Sequence, residues 1–486
     1  MSDYFMDNSP PSGKGVPDNR AGTAIYKKNG VITLEITDMN NLGAGVGHTH
    51  DGIAVFVTGA VTGDKVEAKI IKITSRYMVA RLERLITASK HRIDADDPEA
   101  EVCEAPQSCG GCCYRNVKYE YELEVKRDYV KNAFRKAGLQ VSVKDTASDY
   151  NISGYRNKAQ YPVRQTKEGI KAGFFASGSH RLIPCGECKL QPPVFAEIVG
   201  FILTFAEKHG IPAYDEESGK GILRHIYLRT GRQTGEIMVC LVVNSESFPY
   251  EDTFADELTK RFGAVKSIMI NVNPKNTNVI MGDRTYCIGG APYINDILCG
   301  VRLRISANSF YQVNGNMAEY LYKLALRLAD ADKNTAVADL YCGIGSIGLS
   351  MAKYVKAVAG VEIVPEAVEC ARVNAAVNNI ENASFFLGDA GDSSKLFSEV
   401  VATLGQVPDV VILDPPRKGS TKELIDCIAD FSVKKIVYVS CNPDTLARDC
   451  AYFARKGYFL SEVYPVDLFP RTGHVETIVL LQRETL

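Results

Sequence analysis

The chain has 486 residues, 45% of them hydrophobic and 23% charged, the composition of an ordinary soluble protein long enough for two to four domains. No run of eighteen or more apolar residues and no basic-then-apolar leader is present, so a membrane span and a secretory signal are not expected and the cytoplasm is the expected compartment. The net charge of -2 excludes a global nucleic-acid signature, so any such contact must come from local patches.

Residues 1–22 are rich in Asp, Asn, Ser, Pro and Gly and read as a disordered tail. From Gly30 to about Thr87, short alternating segments (VITLEIT, GIAVFVTGAV, KVEAKIIKIT, YMVARLERLI) are separated by Gly, Asp and Asn, which predicts a small β-barrel over residues 23–88. Between Lys65 and Arg92 this module has eight Lys or Arg against two Glu. Such a stripe suits a phosphate backbone, although a charge run is also what any solvated strand face carries.

An acidic linker (DADDPEAEVCE), a cysteine cluster and a helix-like stretch from Tyr119 to Ala137 follow, and residues 151 to about 305 look mainly β with a few helices. Residues 89–305 are therefore expected to form a mixed, mainly β central region. Positions 151–190 hold seven Lys or Arg against two Glu, interleaved with Tyr155, Tyr161, Phe174 and Phe175. Basic and aromatic residues together can hold single-stranded RNA, the rings stacking on unpaired bases, while some of the rings must serve the core.

From about Ser306 to the end, apolar runs alternate with helical patterns: AVADLYCG, AVAGVEIV, SFFLGDA, DVVILDPP and KIVYVSC. Strands of this kind with helices between them predict a parallel, doubly wound α/β sheet over residues 306–486. The run from Asp339 through Gly343 and Gly345 to Gly348 follows a strand and opens a helix, so backbone amides can approach a ligand at the helix N-terminus. Alone it fits a dinucleotide site as well. Glu362, ending the next strand, could hold ribose hydroxyls, Asp389 ends the third strand where an adenine amino group is bound in many methyltransferases, and Asp414 opens Asp-Pro-Pro-Arg417 after the fourth. Singly each Asp could be a helix cap; four polar strand ends converging at one crevice point to a site.

Ser440-Cys441-Asn442-Pro443 ends the fifth strand beside that crevice. A cysteine there suits methylation at carbon 5 of a uracil, a poor nucleophile until a thiolate adds to carbon 6 and makes the ring an enolate. A base must then remove the carbon 5 proton. Gly473-His474-Val475-Glu476 offers Glu476 as that base, with His474 second. Cys342, Cys370, Cys427 and Cys450 read as small buried apolar residues instead.

Taken in order, NSFYQVN (308–314), DLYCGIG, VILDPPRKG, VSCNP and GHVET resemble the RNA 5-methyluridine methyltransferases, specifically the TRAM-containing iron-sulfur bacterial enzymes that act on 23S ribosomal RNA. The similarity runs from about residue 24 onward. It implies an α/β Rossmann-like class I methyltransferase domain, an N-terminal TRAM (OB-like) barrel that binds RNA, and an iron-sulfur site in the central region. It also implies Gln312, Tyr341, Glu362 and Asp414 as contacts to S-adenosyl-L-methionine, Cys441 as nucleophile and Glu476 as proton acceptor, in a monomer with RNA, ribosomal or transfer, as partner.

The resemblance further makes Cys103, Cys109, Cys112 and Cys188 the ligands of a 4Fe-4S cluster. Spacing alone leaves a zinc site from Cys109-x2-Cys112 and Cys185-x2-Cys188 equally open. Cys113 and Cys185 stand beside these positions as spares, which leaves the fourth ligand between Cys185 and Cys188.

Rival activities leave residues idle. An RNA 5-methylcytosine enzyme takes its nucleophile just after Asp-Pro-Pro, where this chain has Arg417, and an amino-group methyltransferase places an aromatic there. A NAD-dependent oxidoreductase would use only the glycine motif. A non-catalytic iron-sulfur RNA-binding scaffold would have no need of Cys441 and Glu476.

Overall fold

The computed structural model describes residues 26–94, 97, 100, 103, 105, 108–389 and 393–483. The expected tail at 1–22 lies outside them. Strands β1 (Val31–Met39), β2 (Ala44–His48), β3 (Ala54–Thr58), β4 (Lys65–Ile73) and β5 (Tyr77–Thr87) close a barrel in the order β1-β2-β3-β5-β4. Period-two alternation drives closure, because every second side chain turns inward; Val55, Val57, Val66, Ala68, Ile70, Met78 and Ala80 fill the interior.

Helix α1 (Tyr119–Lys136) and the short strand β6 (Ser142–Val143) come next. Strands β7 (Lys158–Thr166), β8 (Gly169–Phe175) and β9 (Leu182–Pro184), helix α2 (Pro193–Lys208), strands β10 (Leu223–Thr230) and β11 (Ile237–Val243), helix α3 (Glu251–Arg261), and strands β12 (Val265–Val272) and β13 (Arg284–Gly290) follow. They give a seven-stranded sheet ordered β13-β12-β11-β10-β7-β8-β9. In β11 the sequence IMVCLVV has no polar position and all seven residues are buried, as a strand covered on both faces requires. One face packs under α2 and α3; the other, with Tyr227, Met238, Cys240 and Met269, joins the core of the C-terminal unit.

That unit begins with the hairpin β14 (Ile294–Leu298) and β15 (Val301–Ile305). It continues α4 (Gly315–Ala329), β16 (Ala336–Leu340), α5 (Ser346–Ala352), β17 (Ala357–Glu362), α6 (Pro365–Val377), β18 (Ala383–Leu387), α7 (Ser393–Leu404), β19 (Val410–Leu413), α8 (Lys422–Asp430), β20 (Lys435–Ser440) and α9 (Pro443–Arg455), and closes with β21 (Tyr458–Phe459), β22 (Glu462–Val466) and β23 (Glu476–Arg483). The sheet order is β18-β17-β16-β19-β20-β23-β22-β6, with β21 pairing β23 off this path. Strands β18 through β20 are mutually parallel and β23 inserts antiparallel, so the expected α/β domain is present.

The sequence assigns α1 and β6 to the central region, but they pack elsewhere. β6 pairs with β22, and α1 lies against α9 with Val130, Ala133 and Phe134 in the C-terminal core. The barrel docks on this layer through Met39 and Val61, which pack with Tyr114, Val117 and Val125.

Candidate active site

All the strand-end residues singled out in the sequence lie at the carboxyl end of the parallel sheet. Leu340 pairs with Val361 on one side and Leu413 on the other, so Tyr341, Glu362 and Asp414 leave adjacent strands side by side. Glu362 pairs with Leu387, and Asp389 follows two residues on, exposed at the edge of the same row. Tyr341 itself turns the chain with φ of 70°, a left-handed conformation that costs a non-glycine residue energy and is held by its surroundings.

Gly343 and Gly345, with φ of 55° and 79°, carry the turn into α5. A side chain at Gly345 would meet the Phe385 ring at 2.9 Å, whereas one at Gly343 would meet nothing within 4 Å, so the backbone there faces open space. Glu362 accepts the Gly343 amide at 3.0 Å and, through its other oxygen, the amides of Ile363 and Val364. Asp339 is fully buried, accepts the Gly348 amide at 2.8 Å with Oδ2 and leaves Oδ1 without a partner. Gln312, in the loop before α4, is buried, and its carbonyl accepts a hydrogen bond from Asn157 Nδ2 at 2.9 Å.

A methyl sulfonium donor carries positive charge at sulfur and at its amino group, and it has ribose hydroxyls that donate hydrogen bonds. A row of carboxylates (Glu362, Asp389, Asp414) beside open glycine backbone complements all three. Desolvation holds Asp414 and Asp339 above the ordinary carboxylate range, each aggravated by neighbouring acids in the case of Asp339. A bound cation would relieve that strain.

Cys441 follows β20 directly. Its thiol is pushed up to about 12 by burial and by the Glu476 carboxyl, against the opposing pull and hydrogen bond of Arg417. Glu476 is 4% exposed, and burial, then Asp414, raise its pKa above the usual range, while Arg417 lowers it. Its Oε2 has no hydrogen-bond partner. His474 is driven down to about 4 by burial and neighbouring cations, which leaves it a neutral imidazole. Arg417 is the residue whose part the sequence analysis missed: it served only to exclude rivals, yet it is the cation common to both reactive groups.

The RNA-contact expectations divide. Within the basic stripe, Arg92 is internal, bound to the buried Asp64 at 2.5 Å, and Arg84 is paired with Glu67. Lys69, Lys72, Arg76 and Lys90 have no carboxylate partner among the described residues. Tyr155 and Tyr161 are core residues, Tyr155 donating to the Pro470 carbonyl at 2.9 Å, so neither is available to stack on a base. No described helix is long and apolar enough to cross a membrane.

Cys103, Cys109, Cys185 and Cys188 share one small apolar cluster with Ala105, Ala176 and Ile183, and Cys112 is near enough to feel the charge of three of them. Among the described residues, however, no three His, Cys, Asp or Glu groups stand in a metal-coordinating array. The soft thiol donors fit an iron-sulfur or zinc group in chemistry, not yet in arrangement.

The fold and crevice define a class I methyltransferase that carries an N-terminal five-stranded barrel. The tRNA (Uracil-5-)-methyltransferase family matches residues 299–484, and the TRAM domain family matches residues 27–82. An uncharacterized RNA methyltransferase of Bacillus cereus is 41% identical over 464 residues, 95% of this chain and 98% of the relative. One from Clostridium acetobutylicum is 40% identical over 94% of this chain and 98% of its own length. Among solved structures, the Pyrococcus abyssi tRNA (uracil-54, C5)-methyltransferase in complex with S-adenosyl-L-homocysteine superposes with a TM-score of 0.73 at 27% identity, covering 93% of this chain and 100% of that one. The chain belongs to the RNA (uracil-C5) methyltransferases.

Proposed function

We propose that this enzyme methylates carbon 5 of a specific uridine in 23S ribosomal RNA through a covalent link between Cys441 and carbon 6. The observation that carries the covalent mechanism is the adjacency of a cysteine, an arginine and a buried carboxylate with an unpartnered oxygen at the donor crevice.

Gln312, Tyr341, Gly343, Gly345, Glu362, Asp389 and Asp414 would hold S-adenosyl-L-methionine, which supplies the methyl group to carbon 5. Arg417 stabilises the Cys441 thiolate once the thiol has lost its proton to solvent. The sulfur adds to carbon 6, and the displaced π electrons make carbon 5 nucleophilic. The Glu476 carboxylate disfavours the Cys441 thiolate, and by reciprocity the thiolate disfavours ionised Glu476, so the bond to carbon 6, by removing charge from sulfur, favours ionised Glu476 just when a base is required. Glu476 takes the carbon 5 proton, the C5–C6 double bond re-forms, and the Cys441 thiolate leaves.

The domain reading is a barrel at 23–88 for RNA, a central region at 89–305 and a catalytic domain at 306–486, in a monomer acting in the cytoplasm. Cys103, Cys109, Cys112 and Cys188 would hold a 4Fe-4S cluster, a cross-link between chain segments with no part in methyl transfer. Transfer RNA is the second reading, favoured by the substrate named for the Pyrococcus abyssi enzyme.

RNA containing 5-fluorouracil tests the mechanism, because fluorine at carbon 5 cannot be removed as a proton. The wild-type enzyme should become covalently linked to it and Cys441→Ala should not. An adduct that survives the substitution rules out Cys441 as nucleophile.

A further inference from the structure

The loop at 467–475 ends on Glu476 and is gripped from three directions. From α1, the buried Lys126 Nζ donates to Glu122 Oε1 at 2.7 Å, Asp467 Oδ1 at 2.8 Å and the Phe469 carbonyl at 3.2 Å. Glu122 Oε1 also accepts the Arg471 amide at 2.7 Å. From the cysteine segment, the amides of Cys113 and Tyr114 both donate to the Arg471 carbonyl, at 3.0 and 3.3 Å. Arg471 has φ of 69°, a strained conformation that these bonds hold in place.

The third grip comes from the barrel. The turn at 40–43, between β1 and β2, presses the Asn41 carbonyl against Gly473 so closely that a Cβ there would lie 1.9 Å from the oxygen. On its other side the turn leaves no space at Gly43 (φ of 75°), where a Cβ would lie 2.4 Å from the Cys113 carbonyl oxygen. Barrel, cysteine segment and catalytic loop therefore interlock through two positions where only glycine fits.

We propose that the barrel turn at 40–43 is a positioning element for the proton removal that completes the reaction: seated on Gly473, it fixes the loop that delivers Glu476 to its place beside Cys441. This is separate from any hold the barrel has on RNA through Lys69 and Lys72 of β4, which have no carboxylate partner among the described residues. The inference rests on Glu476 as base. A misplaced base slows removal of the carbon 5 proton but leaves RNA and donor binding intact.

The test uses the full-length enzyme and whichever transcript the wild type methylates, 23S or transfer RNA, made with uridine or 5-deuterouridine. Gly473→Ala should lower kcat by about 10- to 100-fold, as misplacement of a reacting group by about 1 Å does, with KM for RNA changed less than about twofold. The deuterium isotope effect on kcat should rise above the wild-type value as proton removal becomes limiting. Gly43→Ala, which shifts the turn from within the barrel, should move the same two quantities in the same direction and keeps the test open if Gly473→Ala does not fold. The double variant Lys69→Ala/Lys72→Ala should instead raise KM with the isotope effect unchanged. Folded glycine variants with wild-type kcat and isotope effect, or with a loss confined to KM, overturn the proposal. If Glu476→Gln itself turns over normally, the assignment of the base fails instead.

Discussion

Cys441 and Glu476 stand at the meeting ends of two neighbouring strands. The last pair in the antiparallel ladder of β20 and β23 is Ser440 with Thr477; Cys441 is the residue that leaves β20 directly after that pair, and Glu476 is the residue that opens β23 directly before it. The antiparallel insertion of β23 is what makes this possible, because it brings the start of one strand to the end of the other.

Glu476→Gln should stall the reaction after methyl transfer. The expected product on denaturing gels is a protein-linked, methylated RNA, with methylation in single turnover near wild type and steady-state turnover reduced by about 10²- to 10⁴-fold, the usual contribution of a positioned base. Ordinary release of product would show that another group accepts the proton.

The pH dependence of kcat/KM should rise through neutrality, because both Cys441 and Glu476 have pKa values pushed upward and both act in their proton-free forms. Arg417→Ala removes the cation that pulls both down. Its profile should be displaced to higher pH by about one to two units, equivalent to about 1.4 to 3 kcal/mol of lost stabilisation of the charged form. An unshifted profile would dissociate Arg417 from the thiol.

Lys126→Ala should destabilise the protein by about 3–5 kcal/mol, since it leaves two buried carboxylates, Glu122 and Asp467, without their common cation. The deficit should be largest above neutral pH, where Glu122 is ionised, and should shrink as the pH falls through about 7, the value to which burial raises the Glu122 carboxyl, because a protonated carboxyl has no need of the lost cation. Urea denaturation across that range checks both the size and the sign.

Lys69→Ala/Lys72→Ala should weaken RNA binding and flatten its salt dependence, each lost phosphate contact reducing the slope of log K against log salt by about 0.7 to 0.9. A weaker but equally steep dependence would place the RNA backbone elsewhere.

Anaerobically purified protein should contain iron and acid-labile sulfide, and Cys112→Ser should lose both. Stoichiometric zinc without sulfide would decide for the four-thiolate zinc alternative among the same cysteines.

The catalytic sheet was legible because strands buried on both faces, such as VVIL in β19 and the IVYV run of β20, carry no charged position to disguise them, and because its polar residues cluster near strand ends. The barrel was legible through strict alternation. The network around Lys126 was not, since a glutamate four residues before a lysine on a helix is the ordinary signature of a solvated surface pair. Nor was the fit of Gly473 against the barrel, which depends on residues more than half the chain apart. Tyr155 and Tyr161 misled for a related reason: rings beside cations read the same in sequence whether they face solvent or core.

The placement of α1 and β6 has a consequence for biosynthesis. The outermost strand of the catalytic sheet and the helix covering its flank emerge from the ribosome long before β22 and α9, their partners at the far end of the chain. Until translation is nearly complete, Val130 and Phe134 have no surface to bury against. A fragment beginning at the hairpin β14–β15 would inherit the motifs of a methyltransferase but lack part of its own wall, so truncation at that boundary should yield aggregated rather than active protein.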